Sequence, residues 1–272
     1  MRYWNRNLIS TTKRSPSSVE SSGIFDLTSH QVYKANGLWP ALANDGLTTD
    51  GLYLFLDAGD SDSYPGSGNT WFDLTSNDLD FTRYNGTAYN SGFDGHFVFD
   101  GSNDYFEISS GWTSFGTDPF TIEVWFRVHT TSQAEAIIGT QGGGNGTFQL
   151  AQNNSGFLVL NATTTSGTGE SVTPTSALSL NTWQQTVMVR EGTGTDQFKI
   201  YKNGSLDATG TLSANLNSTA QLRIGRNRNG GQYLDGDISI IRIYKNKALN
   251  AAEVLGNYNN NRSRYSLPAA GG

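Results

Sequence analysis

From Leu52 onward the apolar residues fall at every second position. The clearest run is Phe120-Thr121-Ile122-Glu123-Val124-Trp125-Phe126-Arg127-Val128. Phe120, Ile122, Val124, Phe126 and Val128 share one face, and Thr121, Glu123, Trp125 and Arg127 share the other. A period of two is the side-chain alternation of an extended strand. The same reading predicts strands over residues 52–57, 183–190, 197–202, 221–226 and 236–244. Between the third and the segment returning from it stands Asn203-Gly204, a pair suited to a type I′ hairpin turn, which needs positive φ at both central residues. In 236–244 the alternation slips between Ile240 and Ile241, which predicts a bulge or burial on both faces. One helix is signalled over 250–258, with Asn250 as N-cap and Glu253 three residues on to complete a capping box.

The first fifty residues break this pattern. Lys13-Arg14-Ser15-Pro16-Ser17-Ser18 offers little to bury. After it the apolar residues Ile24, Phe25, Leu27, Val32, Tyr33 and Trp39 are spaced as surface anchors, and Asp26 or Ser29 is placed to cap a short helix ending at Gly37. Two readings stand: a strand or loop leading into the domain, or an arm that docks on neighbouring subunits. The expected division is an assembly arm over 1–50, a sandwich over 51–260 and a polar tail over 261–272.

Composition supports strands over helices. Glycine numbers 32 and proline 6, with 12% aromatics among 36% hydrophobic residues, which suits short strands joined by turns. The net charge of −6, without a basic run, argues against nucleic acid as a partner. The absence of cysteine excludes disulfides, thiolate nucleophiles and Cys-ligated zinc. No run of about 18 apolar residues predicts a membrane-spanning helix. The N-terminus has no apolar stretch suited to a signal peptide, so the product is expected to accumulate in the cytosol of the producing cell.

Several segments, in order, carry a resemblance. They are Leu54-Phe55-Leu56-Asp57-Ala58-Gly59 with Tyr64 to Leu74, then Phe97-Val98-Phe99-Asp100-Gly101-Ser102-Asn103-Asp104-Tyr105, then Phe120 to Phe126, Tyr201 to Gly204, Leu234 to Ile238 and Ala248 to Val254. Together they resemble the laminin-G-like jelly roll of the concanavalin A-like lectin/glucanase superfamily, over roughly residues 52 to 258. The resemblance implies an all-β fold: a two-sheet antiparallel β-sandwich with one short C-terminal helix, preceded here by an extended N-terminal arm. Residues 22–40 resemble the segment before such domains in structural proteins of phages of aquatic bacteria. That implies a virion fibre, decoration or appendage subunit. Such a subunit is assembled in the host cytoplasm, joined to other virion proteins through the arm and homo-oligomeric. The rival is a bacterial lectin or adhesin acting outside the cell.

Chemistry narrows the choice. Glycoside hydrolysis needs two carboxylates across one sugar, and glucanases of this superfamily set theirs at alternate positions of a strand. Glu123 stands alone on its strand and Asp235 and Asp237 lack a third acid, so the expectation is a protein that is not an enzyme. Calcium is a candidate cofactor, because relatives of this fold hold it at a sandwich rim. Asn103 and Asp104, in the loop Asp100 to Asp104, are the first candidate ligands, and Asp57 with Asp60 and Asp62 forms a second acidic loop, against the plainer reading of Asp-Asn-Gly turns. Glycan contact calls for exposed aromatics on loops, for which Tyr64, Tyr105, Trp112 and Tyr233 are the candidates. Trp71 is expected in the core.

Overall fold

The computed structural model describes residues 47–108, 110–140, 144–164, 166–227 and 231–270. The anchors Ile24, Phe25, Leu27, Val32, Tyr33 and Trp39 lie outside the described residues. The strands are β1 (Leu52–Asp57), β2 (Thr70–Trp71), β3 (Phe81–Tyr84), β4 (Ala88–Asn90), β5 (His96–Asp100), β6 (Tyr105–Ile108), β7 (Phe120–Val128) and β8 (Glu135–Thr140). They continue as β9 (Phe148–Gln152), β10 (Leu158–Thr163), β11 (Gly169–Val172), β12 (Gln184–Arg190), β13 (Phe198–Lys202), β14 (Ser205–Gly210), β15 (Leu222–Ile224) and β16 (Asp235–Lys245). One helix, α1 (Ala251–Asn261), follows.

Two eight-stranded antiparallel sheets result. The first runs β14-β13-β12-β7-β16-β5-β4, and β1 extends the edge of β16 that β5 leaves free. The second runs β11-β10-β9-β8-β15-β6-β3-β2. The alternating stripes of both face one continuous core, in which Phe120, Ile122, Val124 and Phe126 of the first sheet join Phe106, Ile138, Leu150 and Leu160 of the second. Each such side chain stabilises the fold by about 1.5–3 kcal/mol relative to exposure. Trp71 is fully buried in this core. The hairpin β13–β14 turns at Asn203 and Gly204, with φ of 50° and 78°, as the pair demands.

The slip in β16 has both anticipated causes. Its register against β7 shifts between Ile238 and Ile240, leaving Ser239 as the extra residue. Its outward face is also covered. Trp125, Trp183, Ile240, Tyr258 and Tyr265 form a second cluster on the far side of the first sheet, and Trp125 stacks on Tyr265 at 4.8 Å and on Tyr258 at 5.7 Å. The chain after α1 therefore does not form a separate polar tail over 261–272, at least through residue 270. Tyr265 is buried, Leu267 and Ala270 pack on the cluster, and Tyr258 Oη donates to the Pro268 carbonyl at 2.7 Å. The physical reason is the pair Tyr258 and Tyr265, whose rings gain more from stacking on Trp125 than from exposure.

At the other boundary, Thr48 belongs to the sandwich. Its N–H donates to Asn257 Oδ1 at 2.9 Å, and its carbonyl accepts from Tyr244 Oη at 2.9 Å. The cap of α1 is as expected. Asn250 Oδ1 accepts from the N–H groups of Ala252 and Glu253, and the Glu253 carboxylate accepts from the Asn250 N–H. Asn250→Ala is expected to lower stability by about 1 kcal/mol, read as a shifted urea midpoint with an unchanged slope.

Candidate functional site

The second sheet turns half of its side chains away from the core, and the registers bring these into line. Thr70, Thr82, Glu107, Arg223, Gly139, Gln149, Asn161 and Ser171 are successive cross-strand partners from β2 to β11. The row crosses all eight strands without one apolar side chain. Glu107 and Arg223 form an ion pair within it. At Gly139 a Cβ would lie 2.7 Å from the Phe148 carbonyl oxygen. The strand tolerates no side chain there, and the middle of the row is bare backbone.

Toward β3 the face is aromatic and cationic. Tyr84 stacks on Tyr105 with centroids 4.7 Å apart and planes 6° from parallel, and Tyr84 is 39% exposed. The Arg226 guanidinium lies 4.9 Å from the Tyr105 ring and 5.5 Å from that of Tyr233. Toward β11 the face sinks into a groove of about 370 Å³. β9 contributes Gln149, Ala151 and Gln152, and the turn after it Asn153 and Asn154. β10 contributes Val159 and Asn161, and Ser171 with Thr173 closes the far side. Asn227 and Gln232 enter from the segment before β16. That segment also carries Arg226 and Tyr233, so one stretch of chain serves both ends of the face. The start of β16 is pinned by charge. The ring nitrogens of His129 lie 3.1 Å from Asp235 and 3.0 Å from Asp237, and Arg127 Nε donates to the buried Asp237 carboxylate.

Of the four aromatics expected to meet sugar, Tyr105 and Tyr233 come together around Arg226. The other two require correction. Tyr64 is only 3% exposed, packed on Phe97 at 4.7 Å and Tyr89 at 4.9 Å. Trp112 is 6% exposed, against Phe115 and Tyr53. Burial of a large aromatic surface outweighs a loop position in the sequence. Tyr84 and the groove amides escaped the sequence reading. Their signal was the alternation of Gln149 with Phe148 and Leu150, read with a partner strand for Tyr105.

The acidic residues do not converge. Asp57 Oδ1 accepts from Arg264 Nη1 at 2.7 Å and from the Gly59 N–H at 2.8 Å, so a guanidinium already neutralises it. Asp57 shares an open cleft with Asp60, Asp94 and Arg264. Asp94 precedes β5, whereas Asp100 to Asp104 follow its other end, five residues away at about 3.3 Å each. Asp57 therefore does not share a site with Asn103 and Asp104. In the 100–104 turn, Asp100 Oδ1 accepts from the Ser102 and Asn103 N–H groups, and Asp104 Oδ2 accepts from the Asp100 N–H at 3.3 Å. Burial, with the Asp100 charge behind it, pushes the Asp104 carboxyl up to about 6. Asn103 is exposed. Among the described residues no group of three His, Cys, Asp or Glu is placed to hold a metal ion, and no helix is long and apolar enough to cross a membrane.

A two-sheet jelly roll with one polar, grooved outer face is a lectin-like architecture. The family model for the concanavalin A-like lectin/glucanases superfamily (laminin-G type) matches residues 100–255, more than half of the chain, and the chain belongs to that superfamily. The match does not extend to residues 22–40. No curated protein matches the sequence. Among solved structures, the binding domain of Paraclostridial mosquitocidal protein 1 is similar, with a TM-score of 0.64 at 15% identity over 80% of this chain and 55% of that one. The botulinum neurotoxin serotype D ligand-binding domain, solved in complex with N-acetylneuraminic acid, gives 0.62 at 14% identity, over 77% and 51%. The receptor-binding domain of botulinum neurotoxin type G gives 0.59 at 16%, over 77% and 51%. These likenesses show the fold. The chain spans about half the length of each neighbour.

Proposed function

We propose that the outer face of the second sheet binds carbohydrate, and that the chain is a non-catalytic recognition module which its N-terminal residues join to a larger assembly. The carrying observation is the groove of amides on the same outer sheet face as the Tyr84–Tyr105 stack. Amide side chains offer a donor and an acceptor each, the complement of sugar hydroxyls. An exposed tyrosine face stacks on the apolar face of a pyranose. The neighbours named for receptor and ligand binding are consistent with this reading, though the sugar of the serotype D complex is not carried over to this face. Against catalysis, no carboxylate lines the groove and Glu107 is engaged by Arg223.

The larger assembly is proposed to be a virion, on the resemblance of residues 22–40 to phage structural proteins. A repeated, homo-oligomeric display would turn weak single-site binding into useful avidity. With Thr48 tied to Asn257 and Tyr244, the arm is best removed at residue 46. The remainder is expected to stay folded and soluble and to be lost from particles. Normal incorporation would remove the arm from this account.

The test of the sugar site is a glycan array followed by titration of the best hit. Tyr84→Ala and Asn161→Ala are each expected to weaken binding about five- to tenfold, in line with roughly 1 kcal/mol per lost contact. Binding is expected to be unchanged by a calcium chelator, because the groove carries no carboxylate. Array silence, or equal affinity in both variants, would sink the proposal.

A further inference from the structure

The face has a cationic end as well as an amide groove. We infer that its ligand is an anionic glycan: the groove amides meet sugar hydroxyls, and the Arg226 guanidinium takes a carboxylate or sulfate carried by the same sugar chain. The inference rests on the carbohydrate reading above and names the class of sugar.

Three observations carry it. The first is that Arg226 is unpaired. Every other arginine among the described residues donates at least one hydrogen bond to a carboxylate, an amide, a hydroxyl or a backbone carbonyl. Arg226 donates none to the described residues and pairs with none of their carboxylates. It lies instead against the rings of Tyr105 and Tyr233, with a shielded Nε that has no partner.

The second is preorganisation. Arg226 is half-buried, and of its three guanidinium nitrogens only Nε is shielded, so the two terminal nitrogens reach solvent. The rings hold the guanidinium plane in place before any ligand arrives. A stacked guanidinium loses less freedom per hydrogen bond formed than a lysine would. Its parallel N–H groups match two oxygens of one carboxylate or sulfate.

The third is placement. The Arg223 guanidinium also lies over the Tyr105 ring, at 5.6 Å, and Glu107 neutralises Arg223 alone. Two like charges share one ring with a single counter-charge between them. Next in the chain to Arg226 and Tyr233 stand Asn227 and Gln232, which hydrogen-bond each other and line the groove. The cation is thus one residue away from amides that would hold the sugar. No charged side chain lines the groove, so an acidic sugar meets no carboxylate there. The chain as a whole carries −6, but salt screens exposed charges beyond about 8 Å at physiological strength, and the arginine in contact decides.

The experiment is calorimetric titration of the full chain with three anionic oligosaccharide sets: oligogalacturonate, oligomannuronate and carrageenan-derived. Each is paired with its neutral form, carboxyl-reduced for the two uronates and desulfated for the third, so the arms separate carboxylate from sulfate. At least one anionic set is expected to bind about tenfold tighter than its neutral form, with added salt narrowing the gap. Arg226→Gln is expected to erase the preference, lowering anionic affinity about tenfold and neutral affinity by less than about threefold. Because Arg226 makes no hydrogen bond within the described residues, that variant is expected to keep the parent's urea midpoint. Lys199→Gln, on β13 of the other sheet, removes the same charge away from this face and is expected to leave the preference intact. Neutral forms binding the parent as tightly as anionic ones would overturn the inference and leave the carbohydrate reading standing. So would an Arg226→Gln variant that weakens both forms equally, or neither. Failure of all six preparations to bind would overturn both.

Discussion

Glu123→Ala is expected to destabilise the protein by about 3–5 kcal/mol, a large part of the 5–15 kcal/mol typical of a domain. Glu123 is fully buried on the outward side of β7. Its Oε1 accepts from Trp125 Nε1 and Gln185 Nε2 at 2.9 Å and from Arg242 Nη1 at 3.0 Å, and its Oε2 accepts from Asn257 Nδ2 at 2.8 Å. One carboxylate thus joins β7, β12, β16 and α1. Removing it leaves the Arg242 guanidinium, 1% exposed, as an uncompensated buried charge, and Asn257 loses one of the bonds that seat α1 on the sheet, keeping that to Tyr244 Oη. The double variant Glu123→Leu with Arg242→Met removes both charges together and is expected to recover much of the loss, because well-packed apolar pairs often match buried ion pairs. Urea unfolding followed by tryptophan fluorescence reads all three, with Trp125 as a local reporter. A single variant within 1 kcal/mol of the parent would show that the hub does not hold α1 down.

Glu123 also marks where sequence reading stops. Its strand, its face and its isolation among acids were legible from the alternation of Phe120 to Val128. Its partners were not, because Gln185, Arg242 and Asn257 are 62, 119 and 134 residues away, and the register that brings them together depends on a fold already formed. The fold class, the Asn203-Gly204 turn and the Asn250 cap were legible because each rests on local periodicity or local backbone preference. The site was half legible. Tyr105 and Tyr233 read as candidates because aromatics beside turns are conspicuous, but nothing local separates them from Tyr64, whose ring fills a gap against Tyr89 and Phe97. The amide face was missed for the opposite reason. Gln149, Asn161 and Ser171 are unremarkable singly, and gain meaning only as neighbours across β9, β10 and β11.

Glu135→Gln is expected to stabilise the protein by about 3 kcal/mol above pH 7 and to leave it nearly unchanged at pH 4. Burial, aided by the Asp235 charge and opposed by the Gln133 and Asp235 donors and by His129, pushes the Glu135 carboxyl from 4.5 up to about 7. Between those values the folded chain keeps a proton that the unfolded chain has released. Folding stability from this group is therefore full below 4.5, falls as the pH rises toward 7, and is lost above it. From 4.5 to about 7, at 1.36 kcal/mol for each pH unit, amounts to about 3 kcal/mol. Glutamine keeps the shape, cannot ionise and brings an amide donor opposite the unpartnered Gln152 Oε1, so it removes the cost of the buried charge. Asp104, pushed up to about 6, contributes a slope of the same sign to parent and variant alike and cancels in their difference. Urea midpoints at half-unit steps from pH 4 to pH 8 should give two curves that separate through the window between 4.5 and 7 and run parallel above it. Curves parallel throughout would mean that Glu135 stays ionised in the fold, its burial offset by the Gln133 and Asp235 donors and by His129.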